Sequence, residues 1–233
     1  MLTPQYRAAS ALSTLLSLMN FSSLRESLHS LSRSNGALIA TIVLVSLGQI
    51  GLWLVFPAID NENHLLEWLQ ALFLALACVV HGQKAWTEPD RDSLRFLIHA
   101  GLSALMFGFL LRELEIREMG EAYAWTVLEK TLRLLELLVL LRLLIFFAPR
   151  ARLVFANVRA IFGMRVTIIT LVGGLFMVAG WPFDKKVIHS LPEIYSELLE
   201  EVFELDGYLL LFLAALADTT AAARIKLRFP KAR

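Results

Sequence analysis

Cysteine is almost absent from this 233-residue chain: Cys78 stands alone. No intrachain disulfide can form, and a zinc site built from several cysteines is excluded. Charge is scarce as well. Asp, Glu, Lys and Arg together make up 18% of the residues, against roughly 25% in an ordinary soluble domain. The chain has no Walker A loop, no G-x-S-x-G elbow, no Rossmann glycine pattern and no H-E-x-x-H pair. ATP hydrolysis, nucleotide binding and zinc-protease chemistry therefore have no recognisable carrier. Internal repeats of about 20–50 residues are missing too, so the chain reads as one main domain.

What is present is apolar sequence. Hydrophobic residues reach 57%, with a mean hydropathy of +0.63. Six stretches stand out, at residues 37–57, 65–80, 97–111, 127–147, 166–183 and 196–217. A bilayer core about 30 Å thick needs about 20 helical residues, so the second and third are short unless their polar flanks continue the helix. The pattern predicts an all-α, polytopic membrane helical bundle with six transmembrane helices. Cys78 falls inside the second stretch as a buried free thiol.

The basic residues settle an orientation. Arg7, Arg25 and Arg33 precede the first span; Lys84, Arg91 and Arg95 follow the second. Arg150, Arg152, Arg159 and Arg165 follow the fourth, and Arg224, Lys226, Arg228, Lys231 and Arg233 follow the sixth. The opposite side has only Arg112, Arg117, Lys130, Arg133, Lys185 and Lys186. The positive-inside rule thus places both termini in the cytoplasm, which requires an even number of spans.

Residues 1–34 carry Leu12, Leu15, Leu16 and Met19 at helical spacing and read as an amphipathic helix on the cytoplasmic leaflet. Residues 35–217 form the six-helix transmembrane domain. Residues 218–233 are a basic cytoplasmic tail that meets anionic headgroups rather than nucleic acid.

The last span is the informative one, because it is also acidic. At about 100° per residue, Glu197, Glu201, Glu204 and Tyr208 share a narrow stripe with Glu200 beside it. Carboxylates are costly against lipid, so the stripe must face protein or water. Other polar groups reach the same level. In the second span Glu67, Gln70, Leu74, Cys78 and His81 share a face; Arg112 and Glu113 end the third span; Glu129, Arg133 and Glu136 are spaced i, i+4, i+7 in the fourth. Glu129 before Arg133 is the favourable order for a helical ion pair. The candidate binding residues are Glu67, Arg112, Glu113, Arg133, Glu136, Glu200, Glu201 and Glu204.

A divalent cation held by these glutamates with His64 and His189 is chemically feasible. His81 and His99, near the cytoplasmic ends of their spans, lack the regular spacing of a paired-histidine haem and read as interfacial. Neither nucleotide nor haem is expected. Gly48, Gly51, Gly173 and Gly174 read as points of close helix packing.

Three segments in order, ENHLLEWLQ at 62–70, LRELE at 111–115 and EEVFELDG at 200–207, together resemble uncharacterised bacterial multi-pass inner-membrane proteins with acidic outer helix ends. The resemblance spans the second to sixth helices. It implies a bacterial inner (cytoplasmic) membrane and brings no activity with it.

Three functions fit these residues. A binding or transport protein would use an outward-facing acidic pocket for protons, cations or a cationic solute. A non-catalytic accessory or scaffold subunit would use the same groups to lock a partner membrane protein or a homo-oligomer. A lipid-processing enzyme would need a nucleophile–base pair that the sequence does not display, so the reading leans away from an enzyme. Membrane lipids are partners in every case.

Overall fold

The computed structural model describes Ser30, residues 34–55, 65–114, 116–120 and 123–217, and Thr219, Ala222, Arg224 and Ile225. Every regular element among them is helical: α1 Asn35–Val55, α2 Leu65–Thr87, α3 Leu94–Glu113, α4 Tyr123–Phe147, the short α5 Ala151–Ala156 and α6 Val158–Phe162, α7 Arg165–Asp184 and α8 Glu193–Leu216. The polar flanks of the second and third stretches do continue the helix. With 23 residues in α2 and 20 in α3, both reach about 30 Å or more at 1.5 Å per residue. Ser93 caps α3, its Oγ accepting from the N–H of Phe96 at 3.1 Å, which satisfies one of the orphan donors of the first turn.

The long helices run alternately up and down. Trp53 near the end of α1 meets Tyr195 near the start of α8, with ring centroids 5.7 Å apart. Asn35 at the start of α1 accepts from Arg165 at the start of α7. Phe96 of α3 packs edge-on against Phe146 of α4. One end of the bundle therefore gathers the C-termini of α1, α3 and α7 with the N-termini of α2, α4 and α8; it is called here the acidic end. The basic end holds the short α5 and α6, where Arg150 pairs with Asp92 at 2.8 Å.

α8 is the central helix. Residues 205–215 are buried without interruption, between α7, α2 and α1. Its last turn is capped by Lys84 of α2, whose Nζ donates to the carbonyls of Ala215 at 2.6 Å and Ala217 at 2.9 Å. α2 in turn lies on α3, and α4 lies outside α3 with none of its residues buried. Gly173 and Gly207 bring α7 and α8 together: a Cβ on Gly207 would fall 3.1 Å from the carbonyl oxygen of Gly173.

Four helices, α1, α2, α3 and α7, are long and apolar enough to cross a membrane. That supports a helical membrane bundle and is coarser than the six spans expected. α4 and α8 are long enough, at 25 and 24 residues, but each carries too many charges to qualify on composition. In α8 the reason is physical: a helix enclosed by other helices is not required to be apolar on every side.

Other expectations change. Among the described residues nothing lies within 4 Å of a Cβ placed at Gly48, Gly51 or Gly174, whereas Gly173 serves close packing. Of the tail, Ala222 and Ile225 meet the bundle. Ala222 is fully buried, and the carbonyl of Ile225 accepts from the first N–H of α3 at 2.9 Å. The amphipathic segment expected over 1–34 and the basic residues beyond Ile225 lie outside the described residues, apart from Ser30 and Ser34.

Candidate functional site

The polar groups of the acidic end converge on the α2–α3–α8 face. Glu201, Glu204 and Tyr208 follow one another at helical spacing on α8 and look towards α2 and α3. α3 ends there with Arg112 and Glu113. Arg112 is the hub: its Nε donates to Glu113 Oε1 at 2.8 Å, and its Nη2 donates to Glu204 Oε1 at 2.8 Å and to the Tyr208 hydroxyl oxygen at 3.2 Å. The Tyr208 hydroxyl donates to Glu113 Oε1 at 2.7 Å, which closes a ring of three side chains, with Glu204 joined to it through Arg112. The Arg112 side chain is half-exposed, at 54%, whereas the Glu113 and Glu204 side chains are 8% and 17% exposed. The ring thus has a wet cation on top and shielded carboxylates below.

Glu201 stands apart from this ring. It accepts from Gln70 Nε2 of α2 at 2.7 Å, and among the described residues no lysine or arginine pairs with it. Gln70 is fully buried, and among the described residues its own carbonyl oxygen has no partner. Glu67, one turn before Gln70 on α2, and Glu200, one turn before Glu204 on α8, are both half-buried. Glu67, Glu113, Glu200, Glu201 and Glu204 thus gather at this end; Arg112 bonds Glu113 and Glu204, and Lys185 lies within electrostatic reach of Glu200.

The two α4 candidates separate. Glu136 reaches α3, where its carboxylate occupies the space a Cβ on Gly108 would need. Gly108 lies one turn before Arg112, so Glu136 sits one turn deeper than the ring. No hydrogen bond among the described residues joins it to the ring. Arg133 is not brought to the site: it pairs with Glu129 of its own helix at 2.8 Å, in the order the sequence favoured. His189 is exposed in the loop between α7 and α8, and His64 lies outside the described residues. Among the described residues no three His, Cys, Asp or Glu side chains are arranged to hold a metal ion.

Tyr208→Phe is the cleanest probe of the ring. The hydroxyl is buried and has both roles filled, so its loss removes two charge-assisted bonds, one from Arg112 and one to Glu113, and leaves Glu113 short of a donor. A loss of about 1–3 kcal/mol is expected in unfolding of the detergent-solubilised protein; an unchanged stability would mean that the hydroxyl is solvated rather than bonded.

Two sets of residues escaped the sequence reading. His81 and His99 are not interfacial but buried, with their Nδ1 atoms 2.8 Å apart and His99 Nε2 2.9 Å from Thr219 Oγ1. The shared face of Glu67, Gln70, Leu74, Cys78 and His81 was the available signal, since it already turned His81 inward. Cys78 on that face is half-buried, with its Sγ 3.6 Å from Ser103 Oγ of α3. The second set is Asp206 with Ser46, on the other side of α8, where a lone Asp and Ser in apolar runs gave no spacing to read.

Comparison of the chain with protein-family models, with curated proteins and with solved structures returned no match.

Proposed function

We propose that this chain is a six-span inner-membrane protein of bacterial type, with both termini cytoplasmic, that binds or transports protons or a cationic species through a carboxylate pocket at its outward-facing acidic end. The observation that carries this reading is Glu201. It is a shielded carboxylate with an amide for its donor, beside a guanidinium already shared by Glu113 and Glu204. Such a group favours proton uptake or a bound cation over remaining bare. With no three ligands converging on one point among the described residues, a proton or a cationic solute fits better than a chelated divalent metal.

Six traversals are supported by the alternation of the long helices and by the positive-inside pattern. On α8 Glu200, Glu201, Glu204 and Asp206 are half-buried or buried while Glu193 and Glu197 are exposed in its first turns, and α4 presents Leu134, Leu137, Leu138, Leu141, Leu144 and Ile145 outward, a surface suited to lipid. A second reading, that of an accessory or scaffold subunit, is favoured by the internally bonded ring of Arg112, Glu113 and Tyr208 with Glu204 attached, which would serve equally as a lock between helices.

The test is thermal unfolding of detergent-purified protein across pH and a panel of divalent and organic cations, with wild type beside Glu201→Gln/Glu204→Gln. A pH- or cation-dependent stabilisation present in wild type and lost in the double variant is the expected result. A variant that is merely less stable, in a protein whose wild type responds to nothing, would sink the pocket and leave the scaffold reading.

A further inference from the structure

The acidic cluster occupies one face of α8. The opposite face carries Asp206, which is 1% exposed and close to the middle of the helix. Its neighbour across the helix–helix contact is Ser46, close to the middle of α1, with Ser46 Oγ 2.5 Å from Asp206 Oδ2. The same Ser46 Oγ lies 2.9 Å from the carbonyl oxygen of Ile42 in its own helix. A hydroxyl has one proton to give, while a carbonyl and an ionised carboxylate can only accept. Both contacts are full two-centre hydrogen bonds, rather than one proton shared between two acceptors, only if Asp206 carries a proton on Oδ2. The chain then runs from the Asp206 carboxyl to Ser46, and from Ser46 to the Ile42 carbonyl.

Three further polar atoms on the same two helices lack partners. Among the described residues Asp206 Oδ1 is buried without a hydrogen-bond partner, and so are both amide atoms of Gln49, a residue only 7% exposed. Gln49 is one turn along α1 from Ser46, on the same helical face. Among the described residues no cation is at hand to hold an ionised Asp206. α1 contains no charged residue; the charges of α7 are Arg165 and Asp184, at its two ends. On α2, Glu67 belongs to the acidic end and Lys84 to the cap at the basic end, where His81 is paired with His99. On α8 itself, Glu200, Glu201 and Glu204 lie nearer the acidic end and on other faces.

We propose that Asp206 is a proton-binding site at the midpoint of the bundle, formed with Ser46 and Gln49 and separate from the carboxylate pocket at the acidic end. Two states have partners ready. In the protonated state the carboxyl donates to Ser46. When the proton leaves, Ser46 turns its hydroxyl from Ile42 to Oδ2, and the uncommitted Gln49 amide supplies an N–H to Oδ1. A permanently neutral tie between helices would need no spare amide; a group that takes up and releases a proton does. This inference holds whether or not the outer pocket binds a cation.

The experiment uses the full chain in proteoliposomes and two readouts. Dicyclohexylcarbodiimide adds a protonated carboxyl across one of its C=N bonds, the proton going to nitrogen and the carboxylate oxygen to carbon, so it labels acids reached from the apolar phase. Peptide mass spectrometry is expected to find the adduct on Asp206 near neutral pH, to see it fall severalfold as pH is raised, and to lose it in Asp206→Asn. Acid-minus-alkaline infrared difference spectra are expected to show a carboxylic acid C=O band that is absent in Asp206→Asn and shifted in Ser46→Ala. If Asp206→Asn does not fold, the pH-dependent adduct in wild type and the band shift in Ser46→Ala decide. No adduct together with no pH-dependent band overturns the proposal, as does a band that never titrates. Sodium that abolishes labelling at constant pH as fully as base would overturn the proton in favour of an alkali cation.

Discussion

Arg112→Gln is expected to destabilise the bundle by about 2–3 kcal/mol, measured by unfolding of the detergent-solubilised protein. Breaking a fully buried pair by removing one partner costs about 3–5 kcal/mol, and the 54% exposure of the Arg112 side chain reduces that through solvent screening. The cost arises from what is left behind. Glu113 and Glu204, 8% and 17% exposed, lose their common cation while the Tyr208 hydroxyl can satisfy only one oxygen. Three consequences separate this account from simple loss of packing. The penalty shrinks on acidification, because protonated carboxyls no longer need a cation. Arg112→Lys restores only part of it, since an ammonium cannot present the planar fork that reaches Glu113, Glu204 and Tyr208 together. Adding Glu204→Gln to Arg112→Gln recovers stability rather than losing more, a non-additive cycle typical of groups in one network. A penalty that is independent of pH and additive with Glu204→Gln would mean that the arginine acts through its apolar stem alone.

The ring also shows which features of the site were legible. Glu201, Glu204 and Tyr208 could be placed together from spacing alone, because one helix fixes the relative directions of its own side chains. Arg112 and Glu113 could be placed at the same end, because the alternation of spans fixes depth. What spacing does not contain is rotation of one helix against the next. Arg133 and Glu136 are nearly one turn apart on the same helix, yet Glu136 reaches α3 through the gap at Gly108 while Arg133 turns to Glu129. That difference depends on a glycine in another helix. The same limit explains His81 and His99: each lies on a separate helix, and the 2.8 Å contact between them follows from how α2 lies against α3. Asp206 illustrates a third limit. Its importance comes from what surrounds it, a buried Ser46 and a buried, unpartnered Gln49, and nothing local to α8 announces that environment. The central place of α8 was indirectly legible, since a helix with that much charge needs enclosure.

That enclosure rests on the Gly173–Gly207 contact, and Gly207→Val is expected to cost about 3 kcal/mol or slightly more. The Cβ that Gly207 lacks would fall 2.9 Å from Met177 Cγ and 3.1 Å from the carbonyl oxygen of Gly173, and one on Gly173 would fall 3.0 Å from the carbonyl oxygen of Gly207. A methionine side chain can move aside; a backbone carbonyl held in a helix cannot. The helices must separate, and overpacking of this kind costs about 1–3 kcal/mol, occasionally more. Even Gly207→Ala is expected to destabilise, which is a sharp statement, because alanine is intrinsically the better helix former by up to about 1 kcal/mol. Gly174→Ala is the matched control: its Cβ meets nothing within 4 Å, so the propensity gain is unopposed and the variant should be as stable as wild type or more so. The opposite signs at Gly174 and Gly207 separate close approach from propensity. If both alanine variants stabilise the protein, α7 and α8 do not touch at Gly207. If the signs differ as expected, Gly207→Val also becomes a tool for the rest of the bundle. α8 carries Glu204 on one face and Asp206 on another, so displacing it should weaken the Arg112 ring and the Ser46 contact together, whereas Arg112→Gln should leave the Asp206 infrared band where it is in wild type.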